Sequence, residues 1–296
     1  MSAAFPARDA IDETLVKALV REQFPEWAGL AVAAVRESGN DHRTFRLGDG
    51  LVARLPADLG FVPQVAKEQK YLPLLAPNLP VPVPAVAGVG RESSLFPAPW
   101  SVYGWLDGIR PDAVRVRDDA ALADELAHVL VALRATDATG GPAPGRHSAF
   151  RGGPVSQWDE QVARRLDLLD GAQRDRARGV WRDALAAEFA GPPVWVHGDV
   201  AIGNLLVDDA HHLAAVIDFG CSAVGDPACD TVIHWTQFRG AARRVFRDVL
   251  DLDDATWARG AGWTLWKGLI MLTNVTTGER EFAERVVGEV LRRESV

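Results

Sequence analysis

Three polar side chains set in an apolar stretch have the types and spacing to do chemistry. His197-Gly198-Asp199 is followed five positions later by Asn204, and Asp218 arrives in Ile217-Asp218-Phe219-Gly220, nineteen positions after Asp199 (218 − 199). Phosphoryl transfer needs a carboxylate beside the attacking hydroxyl, and a second carboxylate with a neutral oxygen donor to hold Mg2+ on the phosphates. Mg2+ takes one or two protein oxygens and keeps water and phosphate for the rest of its octahedron. Asp199 fits the first task, and Asn204 and Asp218 fit the second.

The flanking residues position this set. Val194-Trp195-Val196 reads as a buried strand that delivers the chain to His197. Leu205 to Val207 and Leu213 to Ile217 read as two strands joined by the polar turn Asp208-Asp209-Ala210-His211-His212. A hairpin of that form has Asn204 at its start and Asp218 at its end, so both metal ligands reach the same rim.

HxDxxxxN followed by DFG is the signature pair of protein kinases. In the form HGDxxxxN with IDFG the segment resembles the aminoglycoside phosphotransferase family, kinase-like enzymes that modify antibiotics and other small molecules. Glycine at 198, where protein kinases carry arginine, favours that branch. The resemblance implies an α+β, bilobal protein-kinase-like fold. A small antiparallel-sheet lobe over 1–103 holds nucleotide, and a larger, mainly helical lobe over 104–296 is catalytic and binds substrate. It implies ATP or GTP as donor, Mg2+ as cofactor, Asp199 as catalytic residue, and Asn204 and Asp218 as metal ligands. Arg54 takes the place of the usual phosphate-binding lysine, with Glu68 from the next helix as its ion-pair partner. Ser38, in the loop Glu37 to His42, is a candidate phosphate contact. Gly104 and Leu106, where the chain crosses between lobes, are candidate backbone contacts for the base. Asp230 braces the catalytic loop, and His197 shapes that loop and is not the base.

Composition bounds the reading. A chain of 296 residues, 48% hydrophobic, can bury a substantial core. A formal net charge of −8 argues against a nucleic-acid partner and suits a cationic acceptor. The two cysteines, Cys221 and Cys229, suggest no disulfide framework. Together with His197 and His234 they match no tight zinc spacing. The first residues carry early acids and no apolar run, and no stretch approaches the ~20 apolar residues of a membrane span. No membrane partner and a cytoplasmic location are therefore expected.

Along the rest of the chain, 9–24 reads as an amphipathic helix capped by Asp9. Leu30 to Val35, Arg43 to Leu47 and Leu51 to Leu55 read as strands, the last two joined by the tight turn Gly48-Asp49-Gly50. Leu51, Ala53 and Leu55 alternate with Val52 and Arg54, which face the other way. The prolines of 73–84 read as extended chain, and 136–157 as a long surface loop. Later segments read as helices in which Trp235, Trp257, Trp263 and Trp266 are core residues more readily than a pocket wall. Asp251, Asp253 and Asp254 are either a solvated loop or an attraction for an amine.

Three functions compete: an antibiotic kinase, a metabolic kinase for a sugar, amino alcohol or amino acid, and a silent nucleotide-binding regulator. The intact Asp199, Asn204 and Asp218 argue against the last. Asp199→Ala and Asp218→Ala are each expected to abolish phosphate transfer while unfolding cooperatively like the parent. Wild-type turnover by Asp199→Ala would refute the assigned roles.

Overall fold

The computed structural model describes residues 5–35, 39, 41–114, 116, 119–273 and 276–292. Helix α1 (Glu13–Gln23) buries Val16, Leu19 and Val20. Its cap is Asp12, whose carboxylate accepts from the Leu15 N–H at 2.8 Å, and not Asp9, which lies in a short 3-10 turn over Arg8–Ala10. Strands β1 (Val32–Ala34), β2 (His42–Leu47) and β3 (Leu51–Pro56) form the expected meander. Leu47 pairs with Leu51 across the glycine-flanked turn. Helix α2 (Val62–Leu75), β4 (Val86–Gly90) and β5 (Trp100–Gly104) follow, and the sheet order is β1-β2-β3-β5-β4 with every pairing antiparallel. On β3, Ala53 and Leu55 are fully buried in a core with α1, so Val52 and Arg54 face the other side of the sheet.

Two expectations change here. Residues 73–84 are not all extended, since α2 runs through Pro73 to Leu75 and a 3-10 turn covers Ala76–Asn78. Pro73 removes one helix hydrogen bond. Leu72 and Leu75 beside it are each 1% exposed, and burying a leucine is worth about 1.5–3 kcal/mol, so packing prevails. Strand β4 had no sequence signal, because Gly88 and Gly90 break its pattern. Gly90 is required there: a Cβ would lie 2.2 Å from the Trp100 ring.

The larger lobe contains α3 (Asp119–Ala135), α4 (Asp159–Arg165), α5 (Gly171–Ala186), α6 (Ile233–Thr236), α7 (Gly240–Leu250), α8 (Asp254–Met271) and α9 (Thr277–Val290). Between α5 and α6 lie β6 (Val194–Val196), β7 (Leu205–Val207), β8 (Leu213–Val216) and β9 (Ala223–Gly225). β6 pairs with β9, and β7 with β8. The core includes Trp235, Trp257, Trp263 and Trp266, all buried, together with Leu72, Leu75 and Tyr103 from the first part of the chain. The segment 136–157 is not a surface loop throughout. Ser148, Gly152 and Gly153 are buried, and the Gly152 carbonyl accepts from the Asp226 N–H at 2.8 Å. Among the described residues no helix is long and apolar enough to cross a membrane.

One buried ion pair joins α8 to the start of the turn Pro227–Thr231. Arg259 forks onto Asp226 at 2.6 and 3.1 Å, and both side chains are almost fully buried. Asp226 also caps that turn through the Ala228 N–H. Removing one partner of a buried pair leaves an uncompensated charge. Arg259→Ala is expected to lower stability by about 3–5 kcal/mol in denaturant titration, and a loss below ~1 kcal/mol would contradict this.

Candidate active site

The chain leaves β6 at Val196 and turns through His197-Gly198-Asp199. Asp230 fixes that turn: its carboxylate accepts from the His197 N–H at 2.8 Å and the Gly198 N–H at 2.7 Å. Both nitrogens of His197 are engaged. Nε2 donates to the Ile217 carbonyl at 3.0 Å, and Nδ1 accepts from the Asp199 N–H at 3.2 Å. The ring packs against Phe219. Gly198 has φ +83°, and a Cβ there would lie 2.2 Å from the Cys221 carbonyl oxygen. Only glycine satisfies both demands.

The hairpin performs as the sequence implies. Asn204 ends a 3-10 turn and enters β7, and its carbonyl accepts from the Ile217 N–H at 2.9 Å. Asp218 is therefore one position beyond Ile217, the residue across from Asn204. Its backbone is left-handed, φ 66° and ψ 66°, a conformation uncommon outside glycine and asparagine. The Asn204 amide nitrogen donates to the Asp199 carbonyl at 2.9 Å and lies 3.4 Å from Asp199 Oδ2. The loop after β6 and the hairpin are thus joined directly.

Arg54 reaches this rim from the sheet. Its guanidinium lies 3.1 Å from Asp218 Oδ1 and 3.4 Å from Glu68 Oε1. The Tyr103 hydroxyl donates to Glu68 Oε2 at 3.1 Å, and His42 Nδ1 is 3.4 Å from Arg54 Nη2. Burial works against the charge on Arg54, but Asp218 and Glu68 outweigh it and raise the pKa. Burial also opposes ionisation of Asp218, and Arg54 reverses this, so its pKa falls. Burial, then the neighbouring Arg54, pushes His42 down to about 3, which leaves it neutral.

A cavity of about 530 Å3 opens above the rim, lined by Val52, Arg54, Gly104, Leu106, Asn204 and Asp218. Five of the expected residues thus share one cleft, with Glu68 behind Arg54. Gly104 offers no amide hydrogen to a ligand, because its N–H donates to the Ala85 carbonyl at 2.9 Å. Ser38 lies outside the described residues.

Sequence reading missed three cations. Lys67 is buried, and its ammonium donates to the carbonyls of Gly220, Ser222 and His147 at 2.7, 2.8 and 3.0 Å. It joins α2 to the segment after Asp218, and burial pushes its pKa down to about 8. Lys267 on α8 lies 3.1 Å from Asp199 Oδ1. Arg151 stacks over Trp263 and Trp266 at 5.1 and 4.5 Å. Burial alone would raise the Asp199 pKa, but Lys267 and then Arg151 push it down to about 2. A lone lysine in the apolar run Trp263-Thr264-Leu265-Trp266-Lys267-Gly268-Leu269 was the available signal. Asp253 and Asp254 are used elsewhere, the first capping α8 and the second pairing with Arg247.

The sequence matches the model of the phosphotransferase enzyme family over residues 32–263. The chain belongs to that family. It is a phosphotransferase with an alcohol group as acceptor, as the HGDxxxxN and IDFG motifs imply, on the kinase-like bilobal fold. The GDP complex of aminoglycoside 2'-phosphotransferase-IIIa is similar, with a TM-score of 0.75 at 19% identity, covering 95% of this chain and 98% of that one. The streptomycin–ATP ternary complex of APH(2")-IIa gives 0.61 at 20% identity, covering 95% and 96%. Macrolide 2'-phosphotransferase MphH from Brachybacterium faecium gives 0.61 at 25% identity, covering 93% and 97%. Comparison with curated proteins gives no match.

In this phosphotransferase Gly198→Ala is expected to cost at least ~2 kcal/mol, from the left-handed backbone and the clash together. Thermal unfolding with a transfer assay checks it, and a fully active, equally stable variant would contradict the geometry.

Proposed function

We propose that this phosphotransferase moves the γ-phosphate of ATP or GTP to a hydroxyl of a small hydroxylated molecule, an antibiotic in the first instance. The observation that carries the reading is the approach of Asp199 to Asn204, which lines a cleft together with Asp218 and Arg54, the last held by Glu68. The chemistry is positioning and charge stabilisation. Asp199 accepts a hydrogen bond from the acceptor hydroxyl and takes its proton. The acceptor oxygen forms its bond to the γ-phosphorus as the bond to the bridging oxygen breaks. The electron pair of that bond leaves on the nucleoside diphosphate. Held ionised by its cationic neighbours, Asp199 is a weak base, which suits proton transfer late in a loose transition state.

Asn204 and Asp218 fit Mg2+. The Asn204 amide nitrogen is tied to the Asp199 carbonyl, which leaves its oxygen as the free end. With the Asp218 carboxylate it makes a pair of hard oxygen donors, and among the described residues no larger metal-holding group of His, Cys, Asp or Glu competes. When bound, Mg2+ supplies charge neutralisation on the phosphates. Arg54 adds a fixed cation for the phosphates, oriented by Glu68.

The antibiotic acceptor is supported by solved structures that the fold resembles: phosphotransferases for aminoglycosides and for a macrolide. A cytoplasmic nucleotide supply agrees with the expected location. The test is a panel of aminoglycosides, macrolides, sugars and amino alcohols assayed with ATP and GTP, alongside drug tolerance of a susceptible host expressing the enzyme. Turnover confined to sugars or amino alcohols would replace the antibiotic by a metabolite. Arg54→Ala is expected to weaken nucleotide binding by about tenfold or more in calorimetry, with unfolding as control. Unchanged affinity would remove Arg54 from the phosphate site.

A further inference from the structure

Between Gly260 and Leu272 the chain carries one charged residue, Lys267. Its neighbours on α8, including Trp263, Leu265, Trp266, Gly268 and Leu269, are buried. Its ammonium is turned onto Asp199 Oδ1 at 3.1 Å, with the lysine side chain only 22% exposed. The loop between Asp199 and Asn204 is Val200-Ala201-Ile202-Gly203 and holds no cation.

The other contacts of Asp199 explain what a fixed partner does. Its backbone is held through His197 Nδ1, and its carbonyl by the Asn204 amide. Among the described residues the carboxylate itself has Lys267 on Oδ1 and a long 3.4 Å approach of Asn204 to Oδ2. Without the lysine the carboxylate is free to turn about its own side-chain bonds. With Oδ1 anchored, its plane is set and Oδ2 stays beside Asn204 at the cleft. We infer that Lys267 is a positioning residue for phosphate transfer, fixing the Asp199 carboxylate so that one oxygen is presented to the acceptor hydroxyl. Misplacement of a reacting group by about 1 Å costs on the order of 100-fold in rate, which sets the scale of the effect.

This inference rests on Asp199 receiving the acceptor hydroxyl, and the experiment separates the two. Nucleotide hydrolysis with water as acceptor needs no identified substrate. Wild type, Asp199→Asn, Lys267→Met, Lys267→Arg and the double variant Asp199→Asn/Lys267→Met are assayed with Mg2+ and ATP or GTP. Nucleotide affinity is measured by calorimetry and stability by thermal unfolding. Lys267→Met is expected to lower kcat by about 10–100-fold, with nucleotide affinity within about twofold of wild type. Lys267→Arg, which keeps the charge and the donor, restores most of the rate. In the Asp199→Asn background Lys267→Met has no further effect, because the group it positions is gone. Turnover by Lys267→Met within about twofold of wild type overturns the inference. So does an arginine variant as slow as the methionine one, or a full additional loss in the double variant. Wild-type turnover by Asp199→Asn instead overturns the role of Asp199, and the inference with it.

Discussion

The guanidinium of Arg54 is shared by two carboxylates from distant parts of the chain, Glu68 on α2 and Asp218 after β8. A buried arginine without a partner is destabilising by several kcal/mol, so the sheet, the helix and the segment at Asp218 are mutually conditional. The Tyr103 hydroxyl on Glu68 and neutral His42 beside the guanidinium complete the network. One residue before Glu68, Lys67 adds a second bond between the same parts through three carbonyl acceptors. Its partners Gly220 and Ser222 follow Asp218 by two and four positions. The cleft therefore opens against a rim whose relative placement is set from both sides.

Three aspartates of the site show how neighbours assign roles to one residue type. Asp230 is deeply buried, which raises its pKa, and it spends both oxygens on the backbone N–H groups of His197 and Gly198. Asp199 stands among cations and is held ionised. Asp218 is tied to Arg54. Environment pushes such groups apart in function as well as in pKa. In the proposed role, a carboxylate depressed this far orients a hydroxyl more effectively than it deprotonates one, in keeping with a reaction in which the phosphoryl group carries most of the transition-state charge.

Much of this was legible from residue types. The hairpin over 205–217 followed from two apolar runs around a polar turn, with Asn204 entering it and Asp218 leaving it. The alternation in β3 correctly aimed Arg54 away from the core. Errors came where packing overrode local preference: α2 continued through Pro73, β4 formed over two glycines, and the Gly- and Pro-rich segment before Trp158 folded into the larger lobe. Helix α1 took Asp12 and not Asp9 as its cap, with the fully buried Ile11 directly before it.

By itself, then, the sequence determined the short elements that carry Asn204, Asp218 and Arg54, because loop, hairpin and cap chemistry act over a few residues. Only the tertiary structure decided that Lys267 meets Asp199 across 68 positions, that Lys67 spans 153 positions to Gly220, and that Arg151 rests on two tryptophans. A lone cation in an apolar helix has no local partner to reveal its purpose. Its carboxylate or carbonyl is supplied by whichever element the hydrophobic core brings alongside, and that choice is made by packing over the whole lobe.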